Sequence, residues 1–271
     1  MTDHYVVIGN PVAHSKSPQI HARFAQQTGQ DIGYERLLAP LDGFEAAVHA
    51  FIAGGGRGAN VTVPFKLDAF ALADERSPRA QAAGAVNTLR FDRRGRIFGD
   101  NTDGVGLVRD IVSGGVAITG ARVLLLGAGG AARGVMLPLL EQQPEQIVIA
   151  NRTLAKAEML VGEFPQAGGQ LSAMRFEALS DACDIVINAT SASLSAELPP
   201  VPPCVFSSQT FAYDMMYGLA PTVFMQMAAA HGARVRDGLG MLIEQAAESF
   251  FVWRGVRPDT APVYQWLREQ L

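Results

Sequence analysis

The sequence predicts an α/β protein of two domains, and three observations carry that prediction. Apolar, β-branched runs alternate with longer helical patterns, the signature of βαβ units. The 271 residues suffice for two domains of roughly 100–200 residues each. The alternation also changes character near Asn101, irregular before it and regular after it.

The elements follow in order. Residues 5–8 read as a strand, closed by the turn Gly9-Asn10-Pro11. Ser17-Pro18 reads as an N-cap followed by proline at the first helical position, and Gly29 suits the helix end. Residues 32–38 form a second strand, 44–52 a helix closed by Gly54-Gly55-Gly56, and 59–63 a third strand left at Pro64. Residues 85–91 and 96–98 flank Asp92-Arg93-Arg94-Gly95 as a hairpin. Residues 104–112 read as a helix ending at Gly114-Gly115.

The second series is more regular. Strands are expected at 122–126, 146–150, 184–188, 210–215 and 234–236, and helices at 131–140, 154–164 and 221–230. The tail, 239–253 and 262–271, is helical, and Pro199-Pro200 and Pro202-Pro203 mark an irregular loop. Nothing in the pattern itself says which domain the tail helices join.

Composition excludes several classes. With 48% hydrophobic and 18% charged residues the chain is too apolar to be mainly disordered. A net charge of −4 argues against nucleic-acid binding. No apolar run approaches the roughly 18 residues of a membrane span, and Met1-Thr2-Asp3-His4 shows no secretory signal. Cys183 and Cys204 form no framework or metal pattern and read as reduced thiols of a cytoplasmic protein. His14 and His21 lack the neighbours of metal ligands, so no metal is expected.

The first chemical signal is Gly127-Ala128-Gly129-Gly130-Ala131-Ala132, a G-x-G-x-x-A run between a buried strand and a helix. Gly127 permits the tight turn, Gly129 lets a pyrophosphate approach the backbone, and Ala132 allows close helix–strand packing. The helix N-terminus then offers free N–H groups to phosphate. A tight βα turn without a ligand is the competing reading. The next strand ends in Asn151, Arg152 and Thr153, with Lys156 one turn on, where an NAD-binding fold usually has an acid. A guanidinium there pairs with a 2′-phosphate, so NADP is the expected cofactor.

The first half concentrates polar groups at strand ends: Ser15 and Ser17, the run from Asn60 to Lys66, Asn87-Thr88, and Asp100-Asn101-Thr102-Asp103. Donors and acceptors converging there suit a small polyhydroxylated ligand, because open α/β sheets bind ligands beyond the carboxyl ends of their strands. Plainer roles stay open: Ser17 and Asp103 as caps, Lys66 as a solvated helix residue, Gln245 as a helix-surface amide.

These segments resemble the shikimate dehydrogenase family. The resemblance rests on Ser15-Lys16-Ser17-Pro18, Asn60-Val61-Thr62-Val63-Pro64-Phe65-Lys66, Gly84-Ala85-Val86-Asn87-Thr88 and Asp100-Asn101-Thr102-Asp103-Gly104. It continues through the glycine loop, Asn151-Arg152-Thr153, Asn188-Ala189-Thr190-Ser191, Tyr213-Asp214-Met215-Met216-Tyr217 and Asp237-Gly238-Leu239-Gly240-Met241-Leu242. It implies NADPH-dependent, reversible reduction of 3-dehydroshikimate to shikimate, on the route to aromatic amino acids. It implies an N-terminal mixed α/β substrate domain, 1–101 plus 239–271, a Rossmann-like NADP domain, 102–238, and a cleft between them.

The resemblance assigns substrate contacts to Ser15, Ser17, Thr62, Lys66, Asn87, Asp103, Tyr217 and Gln245, with Lys66 and Asp103 catalytic. It assigns cofactor contacts to Gly127, Ala128, Gly129, Gly130, Ala131, Asn151, Arg152, Thr153, Lys156, Met215 and Gly238. Lys156 departs from the arginine of many members, keeping the charge without the planar fork. Beyond the small-molecule substrate, neither nucleic acid nor membrane is an expected partner, and the chain is expected as a monomer or homodimer. The competing functions are a quinate/shikimate dehydrogenase of relaxed choice and a catalytically silent NADP-binding regulator.

Overall fold

The computed structural model describes residues 2–190 and 197–271, so Ser191 of the resemblance lies outside the described residues. The chain forms two compact units: Met1–Gly106 with Ile243–Gln270, and Leu107–Leu242 with the terminal Leu271. The sequence pattern places a split near 101, and the resemblance implies a second near 238. The observed ones fall within two helices, Asp103–Ser113 and Leu239–Arg254, rather than in loops.

The first unit opens with β1 (Asp3–Gly9), α1 (Ser17–Thr28), β2 (Ile32–Leu38), α2 (Phe44–Ala53) and β3 (Gly56–Val61). It continues with α3 (Lys66–Leu72), β4 (Glu75–Arg76), α4 (Pro78–Ala83), β5 (Thr88–Phe91) and β6 (Ile97–Asp100). The sheet order is β2-β1-β3-β5-β6-β4. β1 pairs parallel with β2 and β3, β5 lies antiparallel to β3 and β6, and β4 runs parallel to β6. Central placement explains why Val6, Val7 and Ile8 are all buried rather than alternating. Val6, Ile8, Ala59, Val61 and Leu89 pack in one core with Phe44, Val48, Phe65 and Ala69.

The structure amends the sequence reading at three places here. Ser17 is the first residue of α1 and not its N-cap, which is Lys16; Pro18 still opens the helix and Gly29 closes it in the left-handed conformation, φ 65°. β3 stops at Val61, because Thr62 leaves the sheet for a turn in which the Phe65 amide donates to the Thr62 carbonyl at 3.0 Å. The segment between β3 and β5, unassigned from sequence, holds α3, β4 and α4. These elements have two to seven residues, too short to show a period.

α5 (Asp103–Ser113) begins in the first unit and ends in the second. The second unit then runs β7 (Arg122–Leu126), α6 (Gly130–Glu141), β8 (Gln146–Ala150), α7 (Leu154–Gly162), β9 (Leu171–Met174), β10 (Ile185–Asn188), β11 (Phe211–Asp214), α8 (Val223–Ala230) and β12 (Arg234–Arg236). α9 (Leu239–Arg254) and α10 (Ala261–Glu269) complete the chain. All pairings in the second sheet are parallel, in the order β12-β11-β10-β7-β8-β9. This is the doubly wound order, with its reversal between β7 and β10. β9 is not visible in the sequence; Leu-Ser-Ala-Met has no strand signal of its own and pairs because Val148 and Ile149 of β8 offer it an edge.

α9 supplies Phe250 to the first unit, 5.9 Å ring to ring from Phe24 of α1. It also supplies Trp253, whose indole N–H donates to the Leu89 carbonyl at 2.9 Å. Gly58 makes room for that contact, since a Cβ there would lie 2.6 Å from the indole nitrogen.

Candidate active site

In the first unit, the carboxyl ends of β1, β3 and β6, the amino end of β5 and the N-termini of α1, α3 and α5 bring polar side chains together. Lys66 is the first residue of α3, and its backbone is held by the Val86 amide, which donates to the Lys66 carbonyl at 2.9 Å. Its ammonium donates to Asp103 Oδ2 at 2.5 Å. Asp103 opens α5, where the helix dipole favours a carboxylate. Its other oxygen accepts from Asn87 Nδ2 at 2.8 Å.

Asn87 is itself fixed. Its Oδ1 accepts from the Thr102 amide at 2.9 Å and from Thr88 Oγ1 at 2.8 Å. A flipped amide would set N–H against N–H, so the neighbours choose the orientation that turns Nδ2 toward Asp103. Gln245 Oε1, on α9, lies 3.4 Å from both Asn87 Nδ2 and Thr102 Oγ1.

Ser15 and Ser17 lie at the start of α1 with their hydroxyls 3.1 Å apart. Arg36 of β2 holds that turn, donating through Nε at 3.1 Å and Nη2 at 2.6 Å to the Ser15 carbonyl. Thr62 is half-buried at the end of β3, where its methyl fills the space beside Gly9. The expected substrate residues Ser15, Ser17, Thr62, Lys66, Asn87, Asp103 and Gln245 thus all belong to this unit. Tyr217 belongs to the other, where burial, aided by the Asp237 carboxylate, raises its phenol above the ordinary value.

Sequence reasoning missed the groups behind these. Arg79 donates to both oxygens of Asp100, at 2.7 and 2.5 Å, and to Glu248 at 2.9 Å, and Asp100 accepts from the Asn101 amide at 2.8 Å. This clamp holds the loop that ends in Asp103. Burial opposes the Arg79 charge, but the two carboxylates together outweigh it and raise its pKa above the ordinary value. His21 is fully buried, stacked on Tyr34 at 4.3 Å, with neither ring nitrogen hydrogen-bonded. Burial lowers its pKa to about 3, so it is a neutral core ring. Tyr34 in turn donates to Asn60 Oδ1 at 2.7 Å. Among the described residues, no His, Cys, Asp and Glu group could hold a metal.

In the second unit a cavity of about 370 Å³ opens over the carboxyl ends of β7 and β8. Gly127, Ala128, Gly129, Asn151, Arg152, Thr153 and Lys156 line it, and Glu197 adds a carboxylate. Gly127 has φ 103°, outside the range of ordinary side chains, and a Cβ there would press on Thr190 and Ala189. Added Cβ atoms at Gly129 and Gly130 would meet nothing within 4 Å, so the mouth of α6 is open to a bulky anion. Arg152 and Lys156 are exposed at the start of α7, and Asn151 Nδ2 donates to the Thr153 carbonyl at 2.8 Å. Met215 and Gly238 touch directly: a Cβ on Gly238 would lie 2.1 Å from the Met215 carbonyl oxygen. An open glycine cradle, two cations and the reversal of strand order fit a phosphorylated dinucleotide.

Three family models match the chain in order. Residues 7–89 match the family described as shikimate dehydrogenase substrate binding domain. Residues 107–196 match shikimate / quinate 5-dehydrogenase, and 238–268 the shikimate 5′-dehydrogenase C-terminal domain. The curated shikimate dehydrogenase (NADP(+)) of Janthinobacterium sp. (strain Marseille) is 66% identical over 272 residues, covering 100% of this chain and 98% of that one. An Ael1 enzyme from Pseudomonas putida superposes with TM-score 0.95 at 51% identity, covering 98% of each chain. Shikimate 5-dehydrogenase from Thermus thermophilus, solved with NADP(H) and shikimate, superposes with TM-score 0.89 at 35% identity over 100% of both chains.

Proposed function

The chain belongs to the shikimate dehydrogenase family, and we propose that it interconverts 3-dehydroshikimate and shikimate with NADPH and NADP+, using Lys66 and Asp103 as its catalytic pair. The observation that carries the reading is the 2.5 Å contact between the Lys66 ammonium and Asp103, beside the amides of Asn87 and Gln245.

Reduction of a ketone needs a hydride at carbon and a proton at oxygen. NADPH, when bound, supplies the hydride. Lys66 Nζ stabilises the charge that develops on the carbonyl oxygen and gives it a proton. In the oxidative direction, neutral Lys66 takes the hydroxyl proton. Asp103 holds the ammonium at one oxygen and is itself held by Asn87 at the other, so the donor points one way before substrate arrives. Ser15, Ser17, Thr62, Asn87, Tyr217 and Gln245 supply donors and acceptors for the substrate's carboxylate and hydroxyls. Gly127, Ala128, Gly129, Gly130 and Ala131 hold the pyrophosphate, and Met215 and Gly238 complete the cofactor contacts. Asn151, Arg152, Thr153 and Lys156 read the 2′-phosphate.

The reading carries with it a cytoplasmic setting, where NADP is available, and a monomer or homodimer. Among the described residues no helix is long and apolar enough to cross a membrane. The test is steady-state oxidation of shikimate and of quinate, each with NADP+ and NAD+. The pair shikimate and NADP+ is expected to give the highest kcat/KM, and a preference for quinate or for NAD+ overturns the reading.

A further inference from the structure

The helix that carries Gln245 also carries a hydroxyl with no place in the reaction. Ser249 lies one turn further along α9 and is fully buried. Its Oγ accepts from Asn60 Nδ2 at 2.9 Å and donates to the Gln245 carbonyl at 3.0 Å. It also lies 2.7 Å from Thr88 Oγ1 and 3.2 Å from Thr102 Oγ1. One oxygen therefore links α9 to β3, to β5 and to the loop before α5.

Nothing in helix formation asks for this residue. Serine is no better than neutral inside a helix, and its flanks Ala246, Ala247 and Phe250 are fully buried apolar groups. Trp253 and Glu248 also anchor α9, at Leu89 and Arg79, but the hydroxyl is the anchor one turn from Gln245. Residues 245 and 249 share one face, so anchoring position 249 sets the height and angle at which the Gln245 amide meets Asn87 and Thr102. Those Gln245 contacts, at 3.4 Å, are long, and a small rotation would break them.

We propose that Ser249 is a positioning residue for substrate binding, acting through Gln245. The proposal rests on the reading that Gln245 contacts substrate. Ser249→Ala removes only one oxygen and leaves Asn60 Nδ2 with Thr88 Oγ1 at 3.2 Å and the Asn87 carbonyl at 3.3 Å, so the fold is retained.

The experiment compares Ser249→Ala, Gln245→Ala and the double variant. Its readouts are calorimetric shikimate binding to the cofactor-free protein, KM for shikimate, KM for NADP+, and thermal midpoint. Ser249→Ala is expected to weaken shikimate binding about 3- to 10-fold, the effect of one hydrogen bond, with KM for NADP+ unchanged. The double variant is expected to match Gln245→Ala alone, because an anchor has nothing left to orient once the amide is gone. If Gln245→Ala weakens binding while Ser249→Ala lowers only the thermal midpoint, the hydroxyl is structural and the proposal is overturned. Additive losses overturn its route through Gln245. If Gln245→Ala itself binds shikimate normally, the contact reading falls, and the proposal with it.

Discussion

Lys66 and Asp103, 37 residues apart in sequence, meet at 2.5 Å between Nζ and Oδ2 with both side chains only partly exposed. Each starts a helix, so the position of each is set by where its helix begins. Lys66→Ala is expected to lower kcat by about 10²–10⁴-fold, the range for a positioned acid–base group, with a much smaller change in shikimate KM. A variant that keeps wild-type kcat would remove Lys66 from the chemistry.

Cofactor choice follows from charge at the start of α7. Arg152→Ala is expected to cost roughly 10- to 150-fold in kcat/KM for NADP+, as loss of a charge-assisted pair, and to leave NAD+ almost unaffected. Asn151→Asp is expected to shift the ratio further, repelling the phosphate and accepting from an unphosphorylated ribose. Equal losses for both cofactors in either variant would mean that the segment only supports the fold.

His21 makes stability depend on pH. Its folded pKa is about 3 against 6.5 for the exposed ring, so the unfolded chain binds a proton below pH 6.5 that the native one refuses. The native state is thus fully favoured above pH 6.5 and loses stability as pH falls toward 3, by up to about 1.4 kcal/mol per unit. Between pH 6.5 and 5 the loss is about 1.6 kcal/mol. Urea titrations across that interval are expected to show a shallower slope of stability against pH for His21→Phe than for wild type; parallel slopes would refute the assignment.

Gly240 lies against a buried charge. A Cβ there would lie 1.8 Å from Asp110 Oδ1, a carboxylate already accepting from Tyr213 at 2.7 Å and from both Nε and Nη2 of Arg236. Gly240→Ala is expected to destabilise by about 1–3 kcal/mol, the usual cost of overpacking. An unchanged thermal midpoint would show that α9 can shift at no cost.

The parts of the molecule legible in the sequence are those with local signals. β7 and β8 begin and end where their residues alone put them, because each is mainly an apolar, β-branched run between turn residues. Gly127 and Arg152 mark their cavity in the sequence because strand, glycine loop and helix are contiguous. β4 and β9 leave no such mark because long-range pairing makes them, and α3 and α4 because six or seven residues are too few to show a period. The same holds at the site. Asn87 and Asp103 are visible as polar residues at strand ends, whereas Ser249 looks like any helix serine until the sheet is folded beneath it. Arg79 looks like a surface charge until Asp100 and Glu248 converge on it.

The division of the chain has a consequence for how it is made. The unit that contains the N-terminus lacks Phe250, Trp253 and the Gln245 face until residues 243–270 arrive. On a ribosome, where domains form as their chain emerges, the first sheet is out by Asp100 but still waits for that cover, whereas the second unit has its last strand by Arg236, before the cover is made. The sheet begun at Asp3 is thus the last to be sealed. A stop codon late in the message therefore removes the cover of the earliest-made core and leaves the cofactor half intact.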